Sequence, residues 1–506
     1  MLLQQLSVAS TLLLVITLVI SILFSRLVYN IFLHPLAKFP GPWYASATSF
    51  TSAVASVLHF EPQWLLKITK AYGTNVPIRI SPNMLLLPKP TALKSIYWDP
   101  KCNEKASMFG SGVLGPPHLF TICDAEEHRV MRKALAGPHW SMSYLKNSLE
   151  SKIDNVIRLF VQNMTEKADK QVQINFSNKV AEFAADIMTV FTFGEPWGFV
   201  QNDRDERHLL SDWHKGLHFF AIASHWRTFR ENILPISWVQ WWLLPKTSNE
   251  SGVGYIMAQS DREVTQREKM QLSINIDKQD FLQHCLDARI KKKPLTPVQV
   301  RASVNLLLQA GADPTGTSIG STLRFLSTHP SAQARVLKEV WGADQAGLLS
   351  TPVKMEETRA HLPYLVACIK ETTRLEPPAT NTFARVVGKE GKVIDGFEIP
   401  AGTDITSCAY VVQRDPVLYA PDPDSFRPER WLESIEKSSE MEAGSFVFGM
   451  GPRGCIGKDV ALMALYKLLP ETLRRFELEL LNKGTFVVVG GIAYNKDFIV
   501  KIKARE

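Results

Sequence analysis

Two hydrophobic patterns divide the chain. From Leu6 to Phe24 nearly every position is apolar, Ser and Thr are the only polar interruptions, and no charge occurs. About 20 such residues span the roughly 30 Å core of a bilayer as a helix. No small-x-small cleavage signal follows, and the nearest basic residues, Arg26 and Lys38, come after the run. An uncleaved anchor with the rest of the chain in the cytosol is expected. His34-Pro35-Leu36-Ala37-Lys38-Phe39-Pro40-Gly41-Pro42 then reads as a stiff hinge, because proline fixes φ and glycine permits a sharp change of direction. Beyond it the pattern is that of a folded body. Helices are predicted over Ala125–Leu135, over the long stretch Val298–Phe325, from His329-Pro330 onward, and over Lys458–Leu469. Strands are predicted over Val76–Ile80, Met84–Leu87, Phe476–Leu481 and Thr485–Val489, with a turn at Gly490-Gly491-Ile492-Ala493.

Aromatic density rises between Trp213 and Trp242, which suits a membrane interface, although core packing explains any single ring as well. Composition changes the picture little. The 506 residues are 45% hydrophobic and 21% charged, with no repeat or linker tract. A net charge of +7, from 57 basic against 50 acidic residues, is too diffuse for nucleic-acid binding and suits a membrane surface or an acidic partner. The six cysteines show neither CxxC nor a pairing pattern, which points to a reducing compartment. Asn163, Asn175 and Asn249 head glycosylation sequences, but cytosolic topology leaves them unmodified.

The chemistry concentrates in Phe448-Gly449-Met450-Gly451-Pro452-Arg453-Gly454-Cys455-Ile456-Gly457, directly before a predicted helix. A cysteine at a helix N-terminus beside a cation has its thiolate favoured, and can ligate a metal or act as a nucleophile. The glycines are expected to let the backbone approach something flat and bulky. This stretch resembles the haem-binding loop of the cytochrome P-450 family, Phe-x-x-Gly-x-Arg-x-Cys-x-Gly, at Phe448, Gly451, Arg453, Cys455 and Gly457. The resemblance implies that Cys455 is the thiolate ligand of a haem b iron, a ligation that favours O–O cleavage. It also implies Arg453 on a haem propionate and Phe448 packed beside the sulfur.

Other stretches fall in the same order as in that family. His128 and Arg132 lie one turn apart and can reach one anion; the family has Trp-x-x-x-Arg there, donating to a propionate. Arg385 matches another propionate-binding position. Ala310-Gly311-Ala312-Asp313-Pro314-Thr315 resembles the oxygen-binding centre of the family's central helix, where Ala310 and Gly311 make room and Asp313 and Thr315 handle protons. The usual proton-delivering threonine is here Pro314. Glu371-x-x-Arg374 and Arg430, in Pro428-Glu429-Arg430, match a buried structural network behind the haem. Phe109, Val113 and Leu114, with Ile492 and Ala493, are the implied substrate contacts.

The resemblance implies a mainly α fold with small β-sheets, arranged as an anchor (residues 1–28), a hinge (29–45) and a haem-thiolate domain (46–506). It implies monooxygenation of a lipophilic substrate in fungal secondary metabolism. Electrons would come from NADPH through a cytochrome P-450 reductase, with a small cytochrome as a further donor, at the endoplasmic reticulum membrane. Two other readings stay open. Pro314 motivates a haem-thiolate enzyme that rearranges or dehydrates its substrate, and the anchor also suits a non-catalytic membrane haem-binding protein.

Overall fold

The computed structural model describes residues 2–273, 280–380 and 382–505. The N-terminal apolar run forms helix α1 (Leu2–Val28). The stretch Ser10–Leu33, which runs past the end of α1, is long and apolar enough to cross a membrane; its apolar span is exposed, whereas Asn30 near its end is buried and donates to the Ala47 carbonyl at 3.0 Å. The hinge is less free than its prolines suggest. Leu36 and Phe39 are buried in one core cluster with Leu85, Ile96 and Val387. The backbone N–H of Arg79 donates to the Pro40 carbonyl at 2.7 Å. Gly41 passes so close that a Cβ there would stand 2.2 Å from the Arg79 carbonyl oxygen. The segment is clamped to the body's first sheet.

That sheet has four strands among the described residues. Strands β1 (Ile78–Ser81) and β2 (Met84–Leu86) are antiparallel, with Ile78 opposite Leu86. Chain elements then follow in sequence: helix α2 (Ala125–Leu135), strand β3 (Gln173–Asn175), helices α3 (Phe176–Phe193) and α4 (Leu209–His225). Next come α5 (Pro297–Ala310), α6 (Ala312–Thr328) and α7 (Pro363–Leu375), then strands β4 (Arg385–Val386) and β5 (Asp404–Thr406), and helix α8 (Lys458–Arg475). Strand β5 runs parallel to β2 and antiparallel to β4. Strands β6 (Phe476–Val489) and β7 (Ile492–Ala504) form a long hairpin, and β3 pairs with β7. The two strands expected between Phe476 and Val489 are therefore one, with a register irregularity between Leu480 and Asn482 that interrupts the hydrophobic alternation.

The expected helix Val298–Phe325 is two helices. Helix α5 starts at a capping box between Thr296 and Gln299 with Pro297 in its first turn. It ends at Ala310, and α6 resumes at Ala312. Pro314 has no N–H to give the Ala310 carbonyl, so the ladder lacks a rung where the two helices meet. Helix α6 is the centre of the body. Gly316 brings it against the α3 backbone, where a Cβ would lie 2.9 Å from Ala181 Cα. Ile319 and Leu323 of α6, Phe183 of α3, Leu365 of α7 and Leu468 of α8 belong to one buried core. The cysteine loop, which leads into α8, is thus carried by the same core as the central helix.

Candidate functional site

The cysteine loop folds on its own backbone. The Cys455 N–H donates to the Phe448 carbonyl at 2.8 Å and the Gly454 N–H to Gly451 at 2.9 Å. Gly451 has φ +72° and would place a Cβ 1.9 Å from the Tyr97 carbonyl oxygen. The close approach that needs this glycine is therefore to the protein's own chain, a correction to the sequence expectation. A Cβ on Gly457 would meet only Trp140, at 3.7 Å.

Cys455 is an exposed residue, yet its thiol lies deep among protein atoms. Burial raises its thiol pKa by more than the Gly457 N–H and the Arg132 and Lys458 cations lower it. The helix terminus alone does not favour the thiolate, contrary to expectation, because desolvation of the anion outweighs the nearby positive charge. A cation on the sulfur reverses that balance.

Cations gather beside the loop. Arg132 Nη1 donates to the Gly454 carbonyl at 2.9 Å. His128 is buried, and burial together with Arg453, Lys105, Arg132 and Arg385 pushes its pKa down to about 3. Its Nδ1 has no hydrogen-bond partner, nor has the Nε of the buried Arg385. Lys105, which the sequence reading missed, pairs with Arg385 through the backbone. Burial, Arg385 and Arg453 lower its pKa well below the ordinary lysine value. Arg453 spends its donors on the carbonyls of Asn103, Ile122, Cys123 and Asp124 at 2.7–3.0 Å. It ties the 103–124 segment to the cysteine loop.

On α6, Asp313 is buried, and its Oδ2 lies 2.9 Å from His214 Nε2 of α4. The imidazole stacks on Tyr494 of β7 at 4.0 Å. Burial works to lower the His214 pKa, but Asp313 and Asp205 outweigh it and the value is raised. No sequence pattern singled out His214 or Tyr494. Thr315 is buried, whereas Ala310 is exposed and Gly311 half-buried. Ser318 Oγ donates to the Pro314 carbonyl at 2.8 Å, and Thr317 Oγ1 to the Ala493 carbonyl at 2.9 Å, pinning the hairpin turn to α6.

The Glu371 network is assembled in full. Arg374 donates to both carboxylate oxygens at 2.8 Å and Arg430 Nε to Oε1 at 3.0 Å. The Trp431 indole N–H and the Arg427 backbone N–H complete it. Glu371, Arg374 and Arg430 have at most 1% exposure, so this is a buried charge held by five donors.

A family model described as cytochrome P-450 matches residues 84–488. The chain belongs to the cytochrome P-450 family. It is 30% identical to the cytochrome P-450 monooxygenase cicH of Emericella nidulans, over 93% of this chain and 94% of that protein. It is 30% identical to the cytochrome P-450 monooxygenase gsfF of Penicillium aethiopicum, over 95% of each. Quiannulatic acid synthase of Emericella variicolor is 28% identical over 85% of this chain and 84% of that protein.

This cytochrome P-450 is therefore an oxidoreductase of a family whose cofactor is a haem-thiolate. Its residues fit that group. The exposed Cys455 offers the soft sulfur donor that iron takes, and the cations Arg132 and Arg385, the latter with an unpartnered Nε–H, suit the two carboxylates of the porphyrin. Of the implied substrate contacts, Phe109, Val113, Leu114 and Ala493 are buried, and Ile492 is half-buried. Phe109 meets Phe120 edge-on at 5.4 Å, with the Lys105 ammonium over its ring. The Leu114 carbonyl accepts from Gln309 of α5 at 3.3 Å, so the segment hangs from α5. The aromatic-rich region divides in two. Trp213 is core, whereas Trp238, Trp241 and Trp242 are each at least 70% exposed on one short helix, Ser237–Leu243. Trp43 is as exposed, at 71%.

Proposed function

We propose that this cytochrome P-450 inserts one atom of molecular oxygen into a lipophilic small molecule, the second atom leaving as water. The substrate class is a terpenoid or polyketide of fungal secondary metabolism. A relative named for making quiannulatic acid supports a small-molecule pathway. Electrons come from NADPH through a membrane-bound cytochrome P-450 reductase or a small cytochrome. The observation that carries the reading is the exposed Cys455 with Arg132 bound to its loop and the buried Arg385 left with an unsatisfied Nε–H.

Cys455 would hold the iron of haem b, with His128, Arg132, Lys105 and Arg385 about its carboxylates. When bound, the haem supplies the redox and oxygen chemistry. The chain's own work is to seat the substrate and move protons. Asp313 is the proton-delivering acid, assisted by ordered water or a substrate hydroxyl; Thr315 contributes modestly, standing about 100° round the helix from position 314. The small Ala310 leaves room beside the site, whereas Gly311, contrary to expectation, makes room for Met188 of α3, where a Cβ would lie 2.2 Å from its Cγ. Helix α1 and the exposed tryptophans hold the body at the cytosolic face of the endoplasmic reticulum, where apolar rings with one polar N–H are favoured.

Pro314 favours a second reading, a haem-thiolate enzyme that rearranges or dehydrates its substrate. Reconstitution of the full chain with haem, reductase and NADPH under ¹⁸O-labelled oxygen separates the two. Monooxygenation puts one labelled atom in the product and consumes NADPH in step. Product formed without oxygen uptake selects the rearrangement.

A further inference from the structure

The His214–Asp313 pair reaches from the surface into the interior. The His214 side chain keeps 28% exposure, while that of Asp313 keeps 1%. Tyr494 lies nearly parallel to the imidazole, at an interplanar angle of 19°. That stack fixes the ring plane and aims Nε2 at the carboxylate. The titratable groups facing His214 are Asp313 of α6, Tyr494 of β7 and Asp205, which also caps the start of α4 through the Leu210 and Ser211 N–H groups. On the neighbouring helix Gly252–Ser273, Glu263 is taken up by Arg207. His218, one turn along α4, turns its Nδ1 to the His214 carbonyl and its ring to His59.

Both facing carboxylates favour the imidazolium, and only one of them is in hydrogen-bond contact. A buried acid that must be reloaded after each proton it gives up needs a neighbour that exchanges with water near neutral pH, and imidazole is the side chain suited to that. Pro314, next to Asp313, adds no N–H to tie the backbone there.

We propose that His214 is the positioning residue that loads Asp313 with protons from solvent. The inference rests on the reading of Asp313 as the proton-delivering acid. In each transfer the imidazolium Nε2–H bond breaks and an Oδ2–H bond forms. Neutral imidazole, protonated at Nδ1, and a neutral carboxylic acid remain. The acid then gives up its proton toward the site, and a hydronium ion from solvent, reaching the partly exposed ring, returns a proton to Nε2 and leaves water.

The test uses the full chain in lipid with haem and reductase, comparing wild type, His214→Gln and Asp313→Asn. Gln keeps an N–H donor to Asp313 but carries no exchangeable charge. His214→Gln is expected to keep its KM and haem content, lose about 10–100-fold in kcat and release more peroxide per NADPH. It also loses the alkaline limb on which wild-type turnover falls as His214 deprotonates. Carbethoxylation of His214 by diethyl pyrocarbonate, mapped by peptide mass against pH, reads the pair without turnover. The midpoint lies above the ordinary 6.5 in wild type and drops in Asp313→Asn. If Asp313→Asn uncouples turnover while His214→Gln keeps wild-type rate and pH profile, Asp313 is loaded by another route and the inference fails. If Asp313→Asn itself turns over normally, the reading of Asp313 fails and takes the inference with it. A His214 midpoint indifferent to Asp313→Asn overturns the pairing.

Discussion

The indole N–H of Trp431 donates to Oε2 of Glu371 at 3.0 Å, and the same oxygen receives Arg374 Nε at 2.8 Å. Glu371→Ala strands Arg374 and Arg430 without their carboxylate, an effect of about 3–5 kcal/mol for a buried pair. The variant is expected to accumulate no haem-loaded protein. Trp431→Phe removes one hydrogen bond to a charge, about 1.5–3 kcal/mol, and should fold with a lower denaturation midpoint. Burial pushes the Glu371 carboxyl up, but Arg374 and Arg430 hold it below its ordinary 4.5. Its folded value is depressed, so the linked stability is present above pH 4.5 and is lost as pH falls through the lower folded value. Equal midpoints for Trp431→Phe and wild type would remove the indole from the network.

Gly451→Ala tests the loop. A Cβ 1.9 Å from the Tyr97 carbonyl oxygen, at φ +72°, leaves no room and a backbone that side chains resist. The loop must shift, and Cys455 with it. Haem content should fall sharply, while far-ultraviolet circular dichroism stays close to wild type. Gly457→Ala, which meets only Trp140 at 3.7 Å, should disturb the apoprotein little, so a loss of haem in it would place Gly457 against the cofactor.

Deleting Met1 to Arg26 should leave haem binding largely intact and weaken membrane association without abolishing it. The remaining attachment is assigned to Trp43, Trp238, Trp241 and Trp242, all at least 70% exposed. Adding Trp238→Ser, Trp241→Ser and Trp242→Ser to the deletion should release the protein into the soluble fraction at high ionic strength. A truncated protein as tightly bound with the serines as without them would place the second contact elsewhere.

Proton delivery separates Asp313 from Thr315. Asp313→Asn is expected to lower product formation by about 10²-fold, the lower end of general acid–base effects, and to raise peroxide release. Thr315→Ala should do so several-fold less. A more severe loss for Thr315→Ala would make that hydroxyl the working donor.

Much of this molecule is legible in its sequence where the signal is local. The N-terminal apolar helix, α2 and the cysteine loop follow from unbroken apolar length, i, i+4 spacing and a dense glycine motif. What escaped is non-local. His214, Tyr494 and Lys105 lie about 100, 180 and 350 positions from Asp313, Asp313 and Cys455 in turn, and only the packing of α4, β7 and β4 brings them in. The long strand Phe476–Val489 was split because its irregularity at Leu480–Asn482 mimics a turn. That the helix terminus alone does not favour the Cys455 thiolate was not legible, because a sequence shows neighbouring charge but not depth.

The most direct measurement is the carbon monoxide difference spectrum of the reduced full chain, wild type against Cys455→Ser. Wild type should show the strongly red-shifted Soret band of thiolate ligation, and Cys455→Ser should lose it whether or not haem is retained. The same red-shifted band in Cys455→Ser would contradict the account, because the ligand would then be another group.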